Sequence, residues 1–242
     1  MKVIIAENYD DMSVKAYEIM KEVLTSKDGA VMALTTGSTP IGLYKNMIAD
    51  NKAGAVSYKN VKSVNLDEYV GQGVGDEQSY VEFMRNNLFN HIDIDLANTD
   101  LPNGKAADLQ AECDRYNAKL ASLSVDVQIL GIGSNGHIGF NEPNTAFGSV
   151  THVVDLTENT IKDNARFFNS IDEVPTQALS MGIKNVMNAK SIILLASGAN
   201  KADAIKATLE GPVTEAMPAS VLQLHPNCTF VIDKDAASKL SK

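Results

Sequence analysis

The chain has 242 residues, and its 21 Lys and Arg residues against 30 Asp and Glu give a formal net charge of −9. Apolar residues make up 44% of the sequence and charged residues 21%, a composition typical of soluble globular proteins that excludes disordered, collagen-like and disulfide-scaffold classes. The negative charge, without any block of basic residues, argues against nucleic acid or an anionic membrane surface as the main partner.

Hydrophobic periodicity predicts that strands and helices alternate along most of the chain. In chain order we predict a strand at 3–5, a helix at 12–24, a strand at 31–34, a helix from 39 or 40 onward, a strand at 61–66, helices at 80–89 and 109–123, strands at 125–130 and 191–196, and a helix at 201–209. Thr39 is expected to cap the second of these helices, with Pro40 at its first position. Nearly continuous apolar strands between helices indicate an α/β fold with a mostly parallel sheet that helices cover on both faces.

No internal repeat, low-complexity tract or Gly/Ser linker divides the sequence, so we predict one α/β domain over residues 1–242. The less regular stretch at about 142–180 is expected to form a small lid. In sheets of this type, binding sites lie at the carboxyl ends of the strands. The loops that follow the predicted strands are therefore the places to search for function.

The chain lacks the features of an exported or membrane-bound protein. The apolar run after Met1 is too short for a signal peptide, and no stretch approaches the roughly 20 apolar residues of a membrane span. Cys113 and Cys228 lie far apart without a CxxC motif, so we expect two unpaired thiols, with a structural disulfide as the alternative. We therefore expect a cytoplasmic protein, and no metal site because no Cys or His stand at metal-ligand spacing.

Small hydroxyl residues follow the second predicted strand. From Leu34 the sequence reads Leu-Thr-Thr-Gly-Ser-Thr-Pro, and a helix is expected to begin where this segment ends. Backbone N–H groups and hydroxyls at the positive end of a helix dipole suit a phosphate, and a few such donors can outweigh a diffuse negative charge. The GK[ST] ending of a nucleotide-hydrolysing loop is absent. A simple capped helix start is the alternative at this point.

Two acidic residues, Asp67 and Glu68, follow the third predicted strand. A partly desolvated carboxylate at a strand end has a raised pKa and can serve as a general base. Successive residues point in different directions, so a pair of carboxylates of the glycosidase type is not expected. An acidic cap of a helix N-terminus is the alternative interpretation.

A glycine-rich segment follows the predicted strand at 125–130. It contains the pattern G-x-G-x-x-G at 131–136, which is also found in dinucleotide-binding proteins. Such a site needs a helix directly after the glycines, and here Gly139 and Pro143 interrupt one. We therefore do not expect a nicotinamide cofactor.

The same segment contains a candidate proton-transfer group. His137 stands among four glycines, between Asn135 and Glu142. An imidazole that a carboxylate orients is a common device for proton transfer, so His137 is a candidate catalytic residue. No G-x-S-x-G elbow occurs, which disfavours acyl-enzyme chemistry.

Three of these segments together resemble the glucosamine-6-phosphate deaminase family: the hydroxyl loop at 35–40, Asn-Leu-Asp-Glu-Tyr-Val-Gly at 65–71, and Gly-His-Ile-Gly-Phe-Asn-Glu-Pro at 136–143. The resemblance continues through Asn-Ala-Arg-Phe-Phe at 164–168 and Leu-Gln-Leu-His-Pro at 222–226, so it covers nearly the whole chain. It implies a Rossmann-like α/β sandwich with a mobile lid. It also implies that glucosamine 6-phosphate and water are converted into fructose 6-phosphate and ammonia, without a cofactor.

The resemblance implies catalytic roles for four residues. Asp67 matches the family's base, which moves a proton between C2 and C1 of the opened sugar. His137 matches the residue that assists ring opening, supported by Glu142 and by the residue at 135. Many family members have Asp where this chain has Asn135, which keeps a hydrogen-bonding neighbour for the histidine but removes one negative charge. This departure is expected to alter the pH profile and not the reaction class.

The resemblance also implies a phosphate site and an absence of regulation. Arg166 and Lys201 match cationic clamps, and the family's phosphate cradle corresponds to Thr36, Gly37, Ser38 and Thr39. Family members that N-acetylglucosamine 6-phosphate activates carry basic residues shortly after the Asn-Glu-Pro motif and a longer C-terminal tail. Residues 149–154 contain no Arg or Lys and residue 242 ends the chain, so we expect hyperbolic kinetics without allosteric activation.

Two other functions remain open. A 6-phosphogluconolactonase-like hydrolase would share the fold and a Gly-His loop, but it would lack the Phe-Asn-Glu-Pro continuation and needs no base for a carbon acid. A non-catalytic sugar-phosphate sensor would be expected to lose Asp67 or His137 and to carry a DNA-binding domain. All three candidate functions have a small sugar phosphate as ligand. The sequence does not decide between a monomer and a homo-oligomer.

Overall fold

A parallel sheet with helices on both faces organises the protein, which we describe from a computed structural model. The structure describes residues 1–165, 168 and 170–241, and only the backbone of residues 159, 163 and 164. The strands in this part of the chain are β1 (Lys2–Ala6), β2 (Val31–Leu34), β3 (Lys62–Asn65), β4 (Asp67–Tyr69), β5 (Thr99–Asp100), β6 (Val127–Leu130), β7 (His152–Asp155), β8 (Gln177–Ser180), β9 (Ile192–Ala196) and β10 (Cys228–Asp233). The α-helices are α1 (Tyr9–Thr25), α2 (Ile41–Lys52), α3 (Tyr80–Asn87), α4 (Leu109–Ser122), α5 (Glu158–Asn164), α6 (Ile183–Met187) and α7 (Ala202–Glu210).

The main sheet has the strand order β1-β10-β9-β6-β2-β3-β5, and every pair of neighbours is parallel. Leu34 of β2 lies opposite Asn65 of β3, and Leu130 of β6 lies opposite Leu194 of β9. From β2 onward, the chain adds strands outward on both sides of the central pair β2 and β6, so the connections on the two sides run in opposite directions. This arrangement leaves a crevice at the carboxyl edge of such sheets. The prediction of a mostly parallel α/β sheet is confirmed.

Helices cover both faces because the central strands carry apolar side chains on both sides. On one face, Met32 and Leu34 of β2 pack with buried side chains of α1, α2 and α3. On the other face, Ala33 of β2 and Leu194 of β9 pack with buried side chains of α4, α6 and α7. Each large apolar side chain contributes about 1.5–3 kcal/mol when it is fully buried, so the sheet is a stable base for the loops at its edge.

A smaller antiparallel sheet, in the order β4-β8-β7, adjoins the end of β3. Asp67 of β4 lies opposite Ser180 of β8, and the Met181 N–H donates to the Leu66 carbonyl at 2.7 Å. β7, α5 and β8 all lie in the stretch at 142–180. The strands of this smaller sheet were not predicted, because β4 (Asp-Glu-Tyr), β7 (His-Val-Val-Asp) and β8 (Gln-Ala-Leu-Ser) contain no continuous apolar run.

The start of α2 differs from the prediction. Pro40, not Thr39, is the N-cap residue, and no side chain of the cap accepts a hydrogen bond there. Tyr9 of α1 satisfies this helix end instead, because its hydroxyl accepts from the Gly42 N–H at 2.8 Å and donates to the Ser38 carbonyl at 3.0 Å. The prediction of a Thr39 cap was wrong because the capping group comes from a different helix.

Cys113 and Cys228 are both free and buried, which confirms the prediction of two unpaired thiols. None of the helices in the described part of the chain is long and apolar enough to cross a bilayer. In the same part of the chain, no three His, Cys, Asp or Glu side chains are grouped so that they could hold a metal ion.

Candidate active site

A cleft of about 460 Å³ opens at the carboxyl edge of the parallel sheet. Its walls are the loops after β2, β6 and β9 together with the start of β4. The predicted site residues that line it are Thr36, Gly37, Ser38, Thr39, Asp67, His137 and Lys201. A smaller cavity of about 280 Å³, lined by residues of α4 and α6, contains none of the predicted site residues.

The loop between β2 and α2 presents unused hydrogen-bond donors to the cleft. Among the described residues, the backbone N–H groups of residues 36–39 meet no acceptor. Gly37 has a φ of +88°, the left-handed conformation that glycine adopts without strain. Tyr44 fixes the start of the loop by donating to the Thr35 carbonyl at 2.6 Å, and Tyr9 fixes its end through Ser38. Fixed donors at the N-terminal end of a helix suit an anion.

A buried carboxylate holds the loop that carries Lys201. Asp233, at the end of β10, accepts from the Ser197 hydroxyl at 2.5 Å and from the Gly198 N–H at 3.1 Å. The loop then leads to Lys201, the N-cap residue of α7. A cation at a helix N-terminus opposes the helix dipole, and an anion bound in the cleft would relieve this unfavourable interaction.

Asp67 is a buried carboxylate that accepts no hydrogen bond from the described residues. It is the first residue of β4, its exposed fraction is 5%, and nothing in the described part of the chain donates to its side chain. Burial, and then the charge of Glu68, raises the pKa of Asp67 to about 8. A carboxyl group with a pKa in this range can both accept and return a proton near neutral pH.

Glu68 points away from the cleft and caps a helix. Its carboxylate accepts from the N–H groups of Tyr80 at 2.8 Å and Val81 at 3.0 Å, which begin α3, and from its neighbour Tyr69 at 2.9 Å. Burial raises the pKa of Glu68 to about 7, although these three hydrogen bonds oppose the increase. The alternative of an acidic helix cap therefore applies to Glu68, and Asp67 alone of the two faces the cleft.

His137 faces the carboxylate of Glu142 across 3.5 Å, measured from Nδ1 to Oε1. This is an ion-pair distance and is long for a hydrogen bond; Nδ1 is buried and has no hydrogen-bond partner among the described residues. The side-chain amide of Asn135 donates from Nδ2 to Glu142 Oε2 at 2.7 Å, and its Oδ1 accepts from the His137 backbone N–H at 3.2 Å. Burial raises the pKa of Glu142, but its neighbours outweigh this effect and hold it at about 2. Glu142 is therefore a stable carboxylate behind the imidazole.

The glycines of the 131–136 segment make room for His137. A Cβ at Gly133 would lie 2.4 Å from the imidazole, and one at Gly136, where φ is +85°, would lie 1.9 Å from the Met217 sulfur. No helix follows the segment, so the structure lacks the helix N-terminus that a dinucleotide pyrophosphate requires. The glycine at position 133 leaves the space that the His137 ring occupies.

Aromatic rings line the cleft beside Asp67. Tyr80 and Phe140 both line it, with ring centroids 6.3 Å apart and planes inclined by 8°. Tyr69 packs behind them, 4.6 Å from Tyr80 and 6.0 Å from Phe140. The rings form an apolar part of the cleft wall near the buried carboxylate.

Sequence comparison identifies the relatives of this chain. The family model described as glucosamine-6-phosphate isomerases/6-phosphogluconolactonase matches residues 6–231. The chain belongs to this family. The glucosamine-6-phosphate deaminase of Clostridium novyi (strain NT) is 51% identical over 241 residues, which are 99% of this chain and 100% of that protein. The protein of the same name from Thermoanaerobacter pseudethanolicus is 52% identical over 239 residues, which are 98% of this chain and 94% of that protein.

Solved structures of the family share the fold. A structure described as a monomeric glucosamine-6-phosphate deaminase has 47% sequence identity and a TM-score of 0.96, covering 98% of this chain and 99% of that one. The 6-phosphogluconolactonase of Trypanosoma brucei has 20% identity and a TM-score of 0.80, covering 99% of this chain and 98% of that one. The second likeness shows the fold alone. The Rossmann-like α/β prediction is confirmed.

The residues that line the cleft and the site residues predicted from the sequence are not the same set. Asn135 and Glu142 do not line the cleft but support His137 from behind, and Arg166 lies outside the described residues. Cleft residues outside the predicted set include Tyr80, Ser134, Phe140, Thr160, Ser197 and Asn200. Ser197 and Asn200 could have been found from their position directly after β9. Thr160 gave no such signal, because it lies on α5, far from any strand end of the parallel sheet.

Proposed function

We propose that this protein converts glucosamine 6-phosphate and water into fructose 6-phosphate and ammonia. The observation that carries the proposal is Asp67, a buried carboxylate without a hydrogen-bond donor in the described part of the chain, with a pKa raised to about 8, in the same cleft as an anion-binding loop. Relatives that are named for this activity match nearly the whole chain at 51% and 52% sequence identity. Both facts support a reaction in which a carbon-bound proton moves within a sugar phosphate.

The phosphate binds where the loop between β2 and α2 lines the cleft. The unused N–H groups and the side chains of Thr36, Gly37, Ser38 and Thr39 surround it, and Lys201 supplies a positive charge. Arg166 is the second cation of this site in our proposal. With the phosphate fixed, the sugar extends toward Asp67 and His137.

His137 assists opening of the pyranose ring. It moves a proton from the C1 hydroxyl to the ring oxygen, so the C1–O5 bond breaks and C1 becomes an aldehyde. Glu142 stabilises the imidazole while it carries the extra proton, and Asn135 holds Glu142 in place. Charge is conserved through the step because the proton that leaves O1 arrives at O5.

Asp67 then moves a proton from C2 to C1. Its carboxylate removes the C2 proton while O1 takes a proton from the ammonium group on C2, which produces an enolamine. The carboxylic acid of Asp67 then returns the carbon-bound proton to C1. The C2–N bond is then an imine, to which water adds, and ammonia leaves to give the ketone of fructose 6-phosphate. A base with a raised pKa is effective here, because proton transfer from carbon becomes more favourable as the pKa of the base rises.

The alternative activities are less well supported. Hydrolysis of a lactone requires no base that removes a proton from carbon, and it leaves the buried Asp67 without a task. The lactonase structure compared above has 20% identity with this chain, against 47% for the deaminase structure. A sensor without turnover has no need for the arrangement of His137, Glu142 and Asp67.

Ammonia and fructose 6-phosphate release from glucosamine 6-phosphate by the purified protein tests this proposal, in parallel with hydrolysis of 6-phosphogluconolactone. Asp67→Asn is expected to bind substrate and to lower turnover by several orders of magnitude, on the order expected for loss of an essential base. Lactone hydrolysis without ammonia release would overturn the proposed activity. Near-normal turnover by Asp67→Asn would overturn the role of Asp67.

We extend the proposal to the organisation of the protein. Residues 1–242 form one domain in this proposal, with the loops around the cleft supplied by the same parallel sheet. The stretch at 142–180 acts as the lid over the sugar. A cytoplasmic location follows from the substrate, because a charged phosphate ester does not cross the apolar core of a membrane unaided.

A further inference from the structure

A threonine of the 142–180 stretch reaches the carboxylate that supports His137. Thr160 lies on α5, is 9% exposed and lines the cleft. Its hydroxyl donates to Glu142 Oε1 at 2.8 Å. No sequence motif indicates this residue, and it has no part in the mechanism derived above.

The oxygen that Thr160 contacts is the one that faces the imidazole. Glu142 Oε1 lies 3.5 Å from His137 Nδ1, and Nδ1 is buried without a hydrogen-bond partner among the described residues. The other oxygen, Oε2, accepts from Asn135 at 2.7 Å. The carboxylate therefore has a donor on each oxygen, one from the loop after β6 and one from α5.

The orientation of the Thr160 hydroxyl is set by its own helix. Thr157 is the N-cap of α5, and its side-chain oxygen accepts from the Thr160 N–H at 3.2 Å. The two hydroxyl oxygens lie 3.0 Å apart. When Thr157 donates its proton to Thr160, the proton of Thr160 is directed to Glu142, and the position of α5 determines the position of the carboxylate.

We infer that Thr160 is a positioning residue that acts on His137 through Glu142 and so couples α5 to the proton-transfer group. The inference deepens the proposed function and rests on it for its kinetic consequences. With Thr160 in place, each oxygen of Glu142 has a donor, and the carboxylate keeps one orientation behind the imidazole. Without the hydroxyl, Oε1 loses its fixed donor, and ring opening takes place from a less ordered arrangement.

Kinetics of matched variants provide the first test. Thr160→Val keeps the shape and removes the donor, and we expect kcat to fall about tenfold with KM within about twofold of wild type. Thr160→Ser restores the donor and is expected to recover most of the rate. Thr176→Val, an exposed position of the same stretch that does not line the cleft, is the control and should match wild type. Equal losses in Thr160→Val and Thr160→Ser would contradict the inference.

A double-mutant cycle separates action through Glu142 from a general effect on folding. In a Glu142→Gln background, Thr160→Val is expected to cause no further decrease in kcat, because the carboxylate it acts on has gone. A tenfold loss in both backgrounds would show independent action and would overturn the inference. Circular dichroism and thermal unfolding of each variant identify those that fail to fold.

Nitrogen-15 NMR of the histidine side chains tests the same contact without reference to turnover. The ring signals of His137, assigned with His137→Gln, are expected to shift in Thr160→Val and to return to their wild-type positions in Thr160→Ser. Unchanged His137 signals in Thr160→Val would overturn the inference whatever the activity. A wild-type protein that releases no ammonia but shows these shifts would contradict the proposed function and leave the role of Thr160 supported.

Discussion

Asp67 and Glu68 are neighbours in β4, but their carboxylates lie on opposite faces of the strand. The carboxylate of Asp67 faces the cleft and accepts no hydrogen bond from the described residues. The carboxylate of Glu68 lies on the other face and accepts three backbone hydrogen bonds. The pleat of a strand sends successive side chains to opposite faces, so this division follows from β4 itself. Glu68 joins the strand to the start of α3. The same helix brings Tyr80 to the cleft wall beside Asp67.

We expect Asp67→Asn to increase the free energy of unfolding although it lowers turnover by several orders of magnitude. The folded-state pKa of Asp67, about 8, lies above its ordinary value of 3.8, so wild type loses stability as pH rises between these values. The variant has no ionisable group at this position, so the difference in free energy of unfolding between variant and wild type grows by up to about 1.4 kcal/mol per pH unit. Urea denaturation of both proteins at pH 5, 6.5 and 8 measures it. A stability difference that does not change with pH would contradict the burial of an ionisable Asp67.

Glu68→Gln is expected to move the acidic limb of the kcat/KM profile to lower pH. Asp67 must be ionised to accept the C2 proton, and the charge of Glu68 raises its pKa, so removal of that charge lowers it. The variant also loses one acceptor for α3, a cost of about 1–3 kcal/mol of stability. The profile is measured with glucosamine 6-phosphate from pH 5.5 to 9. Coincident limbs would show that the carboxylate of Glu68 does not influence Asp67.

Asn135→Asp is expected to add an ionisation to the pH profile. The amide of Asn135 lies 2.7 Å from Glu142 Oε2, and two carboxylates at this distance share a proton, so the pKa of the pair is raised above the value of about 2 for Glu142 alone. Activity should persist and should change as the shared proton is lost. Asn135→Ala, which removes the donor without adding charge, should lower kcat evenly across pH. A profile for Asn135→Asp that parallels wild type would contradict this account.

Lys201→Ala should weaken substrate binding more than it slows chemistry. Loss of one charge-assisted contact to phosphate is worth roughly 1.5–3 kcal/mol, which corresponds to an increase in KM of about 10- to 100-fold. The matched control is Lys206→Ala on the same helix, where the ammonium group binds the Lys239 carbonyl at 3.0 Å away from the cleft. With unphosphorylated glucosamine, Lys201→Ala and wild type should be equally poor. A KM for glucosamine 6-phosphate equal to that of Lys206→Ala would remove Lys201 from the phosphate site.

N-acetylglucosamine 6-phosphate is not expected to activate the enzyme. An anionic effector needs cationic donors, and residues 149–154, which lead into and include most of β7, contain neither Arg nor Lys. Initial rates against glucosamine 6-phosphate should be hyperbolic with and without the effector. A sigmoidal curve that the effector converts to a hyperbola would contradict this prediction.

The sequence predicted the elements that depend on local pattern. The strands β1, β2, β3, β6 and β9 and most of the helices were recognisable because apolar runs alternate with helical periodicity, whereas β5 and β10 of the main sheet were not predicted. The cap of α2 was not, because it depends on the hydroxyl of Tyr9, which lies 33 residues before Gly42. The small sheet of β4, β7 and β8 was not, because its strands lack an apolar run and are held by pairing between segments distant in sequence.

The amino-acid sequence by itself determined the fold class, the family and the chemical types gathered in the cleft, since motifs and hydrophobic periodicity are properties of neighbouring residues. Tertiary structure alone decided which of two adjacent carboxylates is buried beside aromatic rings without a donor in the described part of the chain, and which one caps α3. It also decided that Thr160 donates to the carboxylate behind His137. Burial and hydrogen-bond partners arise from contacts between segments distant in sequence, and it is these contacts that convert ordinary Asp, Glu and Thr side chains into groups with separate tasks.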